Sequence, residues 1–72
     1  MREVPKAFEK YRHFKGNEYE VIDFGRHSET TEEYVIYKAL YGANDIWLRP
    51  KYMFNEYVIV DGKPVKRFEF IK

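Results

Sequence analysis

Few side chains in this sequence can do acid–base or nucleophilic chemistry: His13, His27, the single serine Ser28, and the glutamates around them. His27-Ser28-Glu29 carries the letters of a hydrolytic triad in a row. Neighbours on an extended chain point to opposite faces, so adjacency works against triad geometry. No G-x-S-x-G elbow surrounds Ser28, and no glycine adjoins it. The chemistry left to this set is general-base catalysis by His13 or His27 beside Glu29, as in a minimal hydrolase or phosphate-processing enzyme. The same histidines with Glu20, Glu29 or Glu32 are of the types that hold zinc or non-haem iron. They lack H-x-H or H-x-x-x-H spacing, so no metal or other cofactor is expected. His13 is expected instead to face Glu20 across a hairpin. The four glycines lie scattered at turns and form no phosphate loop.

A second kind of chemistry sits in Ile46-Trp47-Leu48-Arg49-Pro50. With period two, Ile46 and Leu48 share one face and Trp47 and Arg49 the other. An indole beside a guanidinium suits a nucleobase, an aromatic ring or an anionic group. Tyr37 and Tyr41 would flank that surface if their strand pairs with this one. The competing structural reading puts Trp47 in the core, with the alkyl stem of Arg49 covering it. Residues 1–15 carry five basic against two acidic residues, and residues 63–72 four against one, so each segment nets +3. The acidic run Ser28 to Glu33, SETTEE, compensates them. Basic segments on one face would suit a phosphate backbone, although such runs usually mean a solvated face.

Elements must position these residues, and the composition limits which ones. Seventy-two residues allow one domain, with residues 1–10 as an N-terminal segment and 11–71 as its β-barrel. Hydrophobic residues make up 44% and charged residues 35%, too apolar a balance for a disordered tail. Seven Tyr, six Phe and one Trp supply the large side chains that a small core without disulfides needs. The formal charge is +1, so no global field argues for nucleic acid or membrane. Absence of cysteine fits a reducing compartment, and a cytoplasmic location is expected. The opening MREVPKAFEK lacks the apolar region of a secretory signal, and no apolar run is long enough for a membrane span.

Val, Ile, Tyr and Phe runs between turn residues predict strands near 11–15, 19–27, 33–41, 45–49, 56–60 and 65–71. Gly16-Asn17, read as a two-residue loop, pairs Lys15 with Glu18, Phe14 with Tyr19 and His13 with Glu20. Asp61-Gly62 predicts a type I′ turn placing Val60 opposite Lys63, Val58 opposite Val65 and Glu56 opposite Arg67. Adjacent Val21 and Ile22 break the alternation of their strand, which calls for a bulge or a bend, with Gly25 at the corner. Helical spacing over Pro5 to Tyr11 predicts one or two turns. Pro50 to Phe54 predicts a single 3₁₀ or α turn that drops Phe54 into the core. The whole reads as all-β, a small SH3-like barrel or roll of five to six antiparallel strands.

Several stretches read together resemble a known family. They are Tyr11-Arg-His-Phe-Lys-Gly16, Tyr19-Glu-Val21, Arg26-His-Ser-Glu-Thr30, Val35-Ile-Tyr37, Leu40-Tyr-Gly42, Trp47-Leu-Arg-Pro50, Phe54 and Arg67-Phe68-Glu69. Over residues 11–69 the chain resembles the small bacterial family called domain of unknown function 1653. That resemblance implies an SH3-like β-roll with no established activity. Thr31 departs from it, standing where the family loop often carries glycine. The shared letters also draw attention to polar positions, among them His13, Lys15, Arg26, His27, Tyr37, Trp47, Arg49 and Arg67.

The leading expectation is a non-enzymatic β-barrel module for a compact anionic or aromatic ligand: a nucleotide, a nucleic acid or a peptide. His13, Arg26, His27, Trp47 and Arg49 are its candidate residues. The enzyme reading requires both histidines and Glu29 in one pocket. A third class, a structural module that works through protein–protein contacts, requires an exposed hydrophobic edge strand.

Overall fold

Tyr34 to Ala39 alternates as a pleated strand must: Val35, Tyr37 and Ala39 are buried, while Tyr34, Ile36 and Lys38 are partly exposed. The computed structural model describes residues 6–71 and builds a sheet around this strand. The elements are β1 (Lys10–His13), β2 (Glu18–Arg26), β3 (Glu33–Ala39), β4 (Ile46–Pro50), α1 (Lys51–Phe54), β5 (Tyr57–Val60), β6 (Lys63–Lys66) and β7 (Phe68–Ile71). Five strands form one antiparallel sheet in the order β4-β3-β2-β1-β7, and β5 and β6 form a separate hairpin. The register puts Tyr11, Tyr19, Val21, Tyr37, Trp47, Arg49 and Phe68 on one face, and that face carries the core. The single turn α1 lowers Phe54 onto it, 1% exposed, as the sequence predicts.

The all-β expectation stands, with two corrections. β4 and β7 share no ladder, so the sheet is open and not a closed barrel. Side chains bridge its two edges instead: the Arg49 guanidinium of β4 lies 5.7 Å from the Phe68 ring of β7. The strand expected over 65–71 is two, because Arg67 breaks it by donating its backbone N–H to the Glu56 carbonyl.

The second hairpin forms in the expected register, Val60 opposite Lys63 and Val58 opposite Val65. Asp61 at φ 52° and Gly62 at φ 77° give the two left-handed residues of a type I′ turn. Gly62→Ala should therefore cost about 1 kcal/mol or more, read as a lower denaturation midpoint at unchanged m-value. An unchanged midpoint would contradict the turn.

The first hairpin corrects its expected register. Tyr11 pairs with Tyr19, Arg12 with Glu18, and Lys10 with Glu20, so His13 does not face Glu20. Only Gly16, at φ 108°, is left-handed in this loop; Asn17 is not, so a two-residue I′ turn is not available. A longer loop results, with the Gly16 N–H donating to the His13 carbonyl at 2.7 Å and the His13 N–H to the Asn17 carbonyl at 2.8 Å. It lets Tyr11 and Tyr19 share the core face.

The predicted bulge lies between Val21 and Asp23, where the register with β3 shifts; Gly25 sits in regular pairing opposite Tyr34, not at a corner. The helix expected over Pro5 to Tyr11 is absent from its described part, and Pro5 lies outside the described residues. The Phe8 N–H donates to the Val21 carbonyl and the Val21 N–H to the Glu9 carbonyl. β2 thus takes the backbone groups a helix would use. Thr31 adopts φ 61°, a conformation that glycine takes without strain and a β-branched residue does not.

Candidate functional site

The curl of the sheet gathers side chains from five places onto one end of the core face. His13 ends β1 opposite Phe68; Tyr19 comes from β2, Tyr37 from β3, Arg49 from β4, and Arg67 from the break between β6 and β7. Phe68 is the floor: His13 meets its ring at 5.0 Å, Tyr37 at 5.4 Å and Tyr19 at 5.6 Å, all edge-on. Arg49 crosses above it and donates from Nε to the Tyr37 hydroxyl at 3.2 Å. Among the described residues no carboxylate pairs with Arg49. Arg67 donates to Glu56 Oε1 at 2.7 Å, and its Nε is buried without a hydrogen-bond partner.

Electrostatics follow from this gathering of cations. Burial pushes the His13 imidazole below its ordinary value, and the charges of Arg49, Arg67 and Lys15 push it further the same way. The Lys15 N–H donates to His13 Nδ1 at 3.2 Å, so the neutral ring carries its hydrogen on Nε2. Tyr19 and Tyr41 share a hydrogen bond of 2.8 Å between their hydroxyls. Burial, then that bond, pushes Tyr19 up to about 12, so at neutral pH it remains a neutral hydroxyl. Guanidinium, imidazole N–H and phenol groups converge here with little negative charge to answer them. Such a set is complementary to an oxyanion.

Of the five candidate residues, His13 and Arg49 come together. Trp47 shares their face but stands at the sheet edge, 49% exposed and outside the core. Arg26 and His27 lie at the far end of β2, about 30 Å of extended chain from the first hairpin. There the Arg26 guanidinium donates to the Thr31 carbonyl at 3.0 Å and lies 3.7 Å from Glu33. His27 Nδ1 accepts the backbone N–H groups of Glu29 and Thr30, which ties down the SETTEE loop. With Gly25, Tyr34, Ile36 and Leu48 they line a concavity of about 340 Å³ on the sheet's outer face. The two histidines and Glu29 therefore share no pocket. Among the described residues, no group of three His, Cys, Asp or Glu could hold a metal ion, and no helix is long and apolar enough to cross a membrane.

Tyr19 and Arg67 complete the cluster and were not among the five. Tyr19 was legible as the aromatic of an alternating strand, and Arg67 as the partner of Glu56. Nothing in periodicity places either there: Arg67 comes beside the end of β1 because its carbonyl accepts the Phe14 N–H, and Tyr19 comes within the influence of Arg49 because the sheet curls.

Fold and site together define a small antiparallel β-domain with a cationic, tyrosine-lined patch where its open sheet curls over. Residues 9–70 match the family model described as protein of unknown function (DUF1653), and the chain belongs to that family. It is similar to a crystal structure of a DUF1653 protein from Bordetella bronchiseptica, with 30% identity and a TM-score of 0.78 over 99% of this chain and 87% of that one. No curated protein matches the chain.

Proposed function

We propose that this domain is a binding module for a compact oxyanion, held by Arg49, His13 Nε2–H and Arg67 with the tyrosine hydroxyls around them. The observation that carries this reading is Arg49: a guanidinium oriented by Tyr37 and Phe68, acting with Arg67 and Lys15 on the same His13 ring, with no described carboxylate of its own. Binding is favoured over general-base catalysis because each histidine spends its Nδ1 lone pair on a backbone N–H and offers a donor at Nε2. The same reading takes the open sheet and its one-turn helix as an SH3-like roll whose seam is closed by side chains.

A thermal-shift series with inorganic phosphate, nucleoside phosphates and di- and tricarboxylates, at constant ionic strength, tests it. A ligand at 100-fold over its Kd adds roughly 2.7 kcal/mol, and each kcal/mol is worth roughly 4–8 °C in a domain this small. Arg49→Ala should abolish the shift while lowering the unliganded Tm only slightly; Arg49→Lys, which keeps the charge but not the fork, should retain a fraction. An unliganded loss above about 2 kcal/mol in Arg49→Ala would assign Arg49 to the structural interior.

The pH dependence has a defined sign. His13 binds a proton less readily folded than unfolded, so stability without ligand falls as pH drops below the unfolded value and levels once folded His13 is also protonated. A bound oxyanion raises the His13 pKa, so affinity should increase over that same acid range. An affinity that weakens there would remove His13 from the site.

A further inference from the structure

We propose that β4 pairs antiparallel with β4 of a second copy, centred on Trp47, joining two five-stranded sheets into one of ten strands. β4 is an edge of the sheet, and its side chains stand open: Ile46 is 51% exposed, Trp47 49% and Leu48 63%. A monomeric protein usually blunts such an edge with lysine, proline or a bulge. Here no lysine lies within the strand, and Pro50 falls at its end.

The backbone sets the register. Ala39 donates its N–H to the Asp45 carbonyl, which marks that pair as hydrogen-bonded. By alternation Trp47 and Arg49 turn their backbone groups toward β3, and Ile46 and Leu48 turn theirs outward, unpaired. Placing Ile46 opposite the partner's Leu48, and Leu48 opposite the partner's Ile46, pairs every one of these outward N–H and C=O groups. Pro50 stays outside the paired stretch, so its missing N–H costs nothing.

The side chains are complementary in the same register. Trp47 meets the partner's Trp47 on the two-fold axis at a non-hydrogen-bonded position, where side chains approach closest and aromatic pairs are favoured. Ile46 and Leu48 meet each other's counterparts on the outer face. On the inner face Asp45, which has no ion pair among the described residues, falls opposite the strand position of the partner's Arg49. Charges of opposite sign thus face each other across the seam, while each guanidinium stays turned toward its own Tyr37 and Phe68. Asp-Ile-Trp-Leu-Arg is thus its own antiparallel complement, as an isologous two-fold interface requires. That self-complementarity is what selects a second copy as the occupant of the edge over a foreign strand.

Sedimentation equilibrium of the full chain tests this, together with a thiol trap. The wild-type chain should show a monomer–dimer equilibrium. The double substitution Ile46→Lys, Leu48→Lys faces ammonium groups across the seam, and should weaken association by at least about 100-fold with an unchanged circular dichroism spectrum. The chain has no cysteine, so Trp47→Cys introduces a single thiol at the axis, where Cα atoms about 4.5 Å apart permit a disulfide. It should form a covalent dimer on mild oxidation much faster than Lys63→Cys at the hairpin tip. A chain that stays monomeric up to about 1 mM, a dimer that survives the double substitution, or equal cross-linking by the two thiols overturns the pairing. Failure on these counts leaves the oxyanion reading standing, because none of them measures anion affinity.

Discussion

Phe68→Ala should cost about 3–5 kcal/mol, a large fraction of the stability of the chain. A domain of 72 residues has roughly 4–11 kcal/mol to lose at typical values per residue. Phe68 is 2% exposed and lies flat against Phe54, centroids 4.2 Å apart and planes 3° from parallel. Tyr19, Tyr37 and His13 meet the same ring edge-on. These walls come from β1, β2, β3 and α1, so no single rearrangement can fill the void, and the cavity term adds to the transfer term. The expected Tm loss is tens of degrees, at roughly 4–8 °C per kcal/mol. Phe68→Leu, which keeps most of the volume, should cost less than half as much. Denaturant melts of the two variants decide it. An alanine variant within about 1 kcal/mol of wild type would mean that the aromatic cluster does not hold the sheet together.

The same residue shows why some of this molecule could be read from its sequence and some could not. Local chemistry was legible. Asp61-Gly62 admits one tight turn and forms it; adjacent Val21 and Ile22 demand a bulge and have one; Phe54 follows Pro50 at the spacing of one helical turn and is buried. Gly16-Asn17 misled because two registers both oppose unlike charges there, and only the need to bury Tyr11 beside Tyr19 separates them. Pro5 to Tyr11 misled because helical spacing says nothing of β2, which claims the backbone of Phe8 and Glu9. The site was half legible for a related reason. Period two placed Arg49 on the core face, but the meeting of Arg49 with Phe68, 19 positions away and on the opposite edge, depends on how far the sheet curls. Curl sums small twists over five strands, and no short motif encodes it.

Glu56→Ala should lower stability and at the same time raise oxyanion affinity. The Glu56 carboxylate accepts a 2.7 Å bond from Arg67, whose side chain is only 22% exposed and whose Nε already lacks a partner. Removing the carboxylate leaves a guanidinium largely out of water with its countercharge gone. In a fully buried pair that costs about 3–5 kcal/mol, and partial exposure here reduces it to about 2 kcal/mol. Glu56→Gln keeps an acceptor for the same N–H and should cost about half as much. The released charge also adds to the field of Arg49 and Lys15 at His13. Loss of one negative charge at the edge of the cluster is worth about 1 kcal/mol to a bound anion at an effective dielectric near 20 or above, or roughly 5-fold in affinity. Inorganic phosphate should then raise the Tm of both Glu56 variants more than that of the wild type, recovering part of what the substitution removed. Titrations of the three proteins at one ionic strength read both effects together. If the variants lose stability but bind phosphate no better, Arg67 serves only to fasten the β5–β6 hairpin to the sheet, and the oxyanion site reduces to Arg49 and His13.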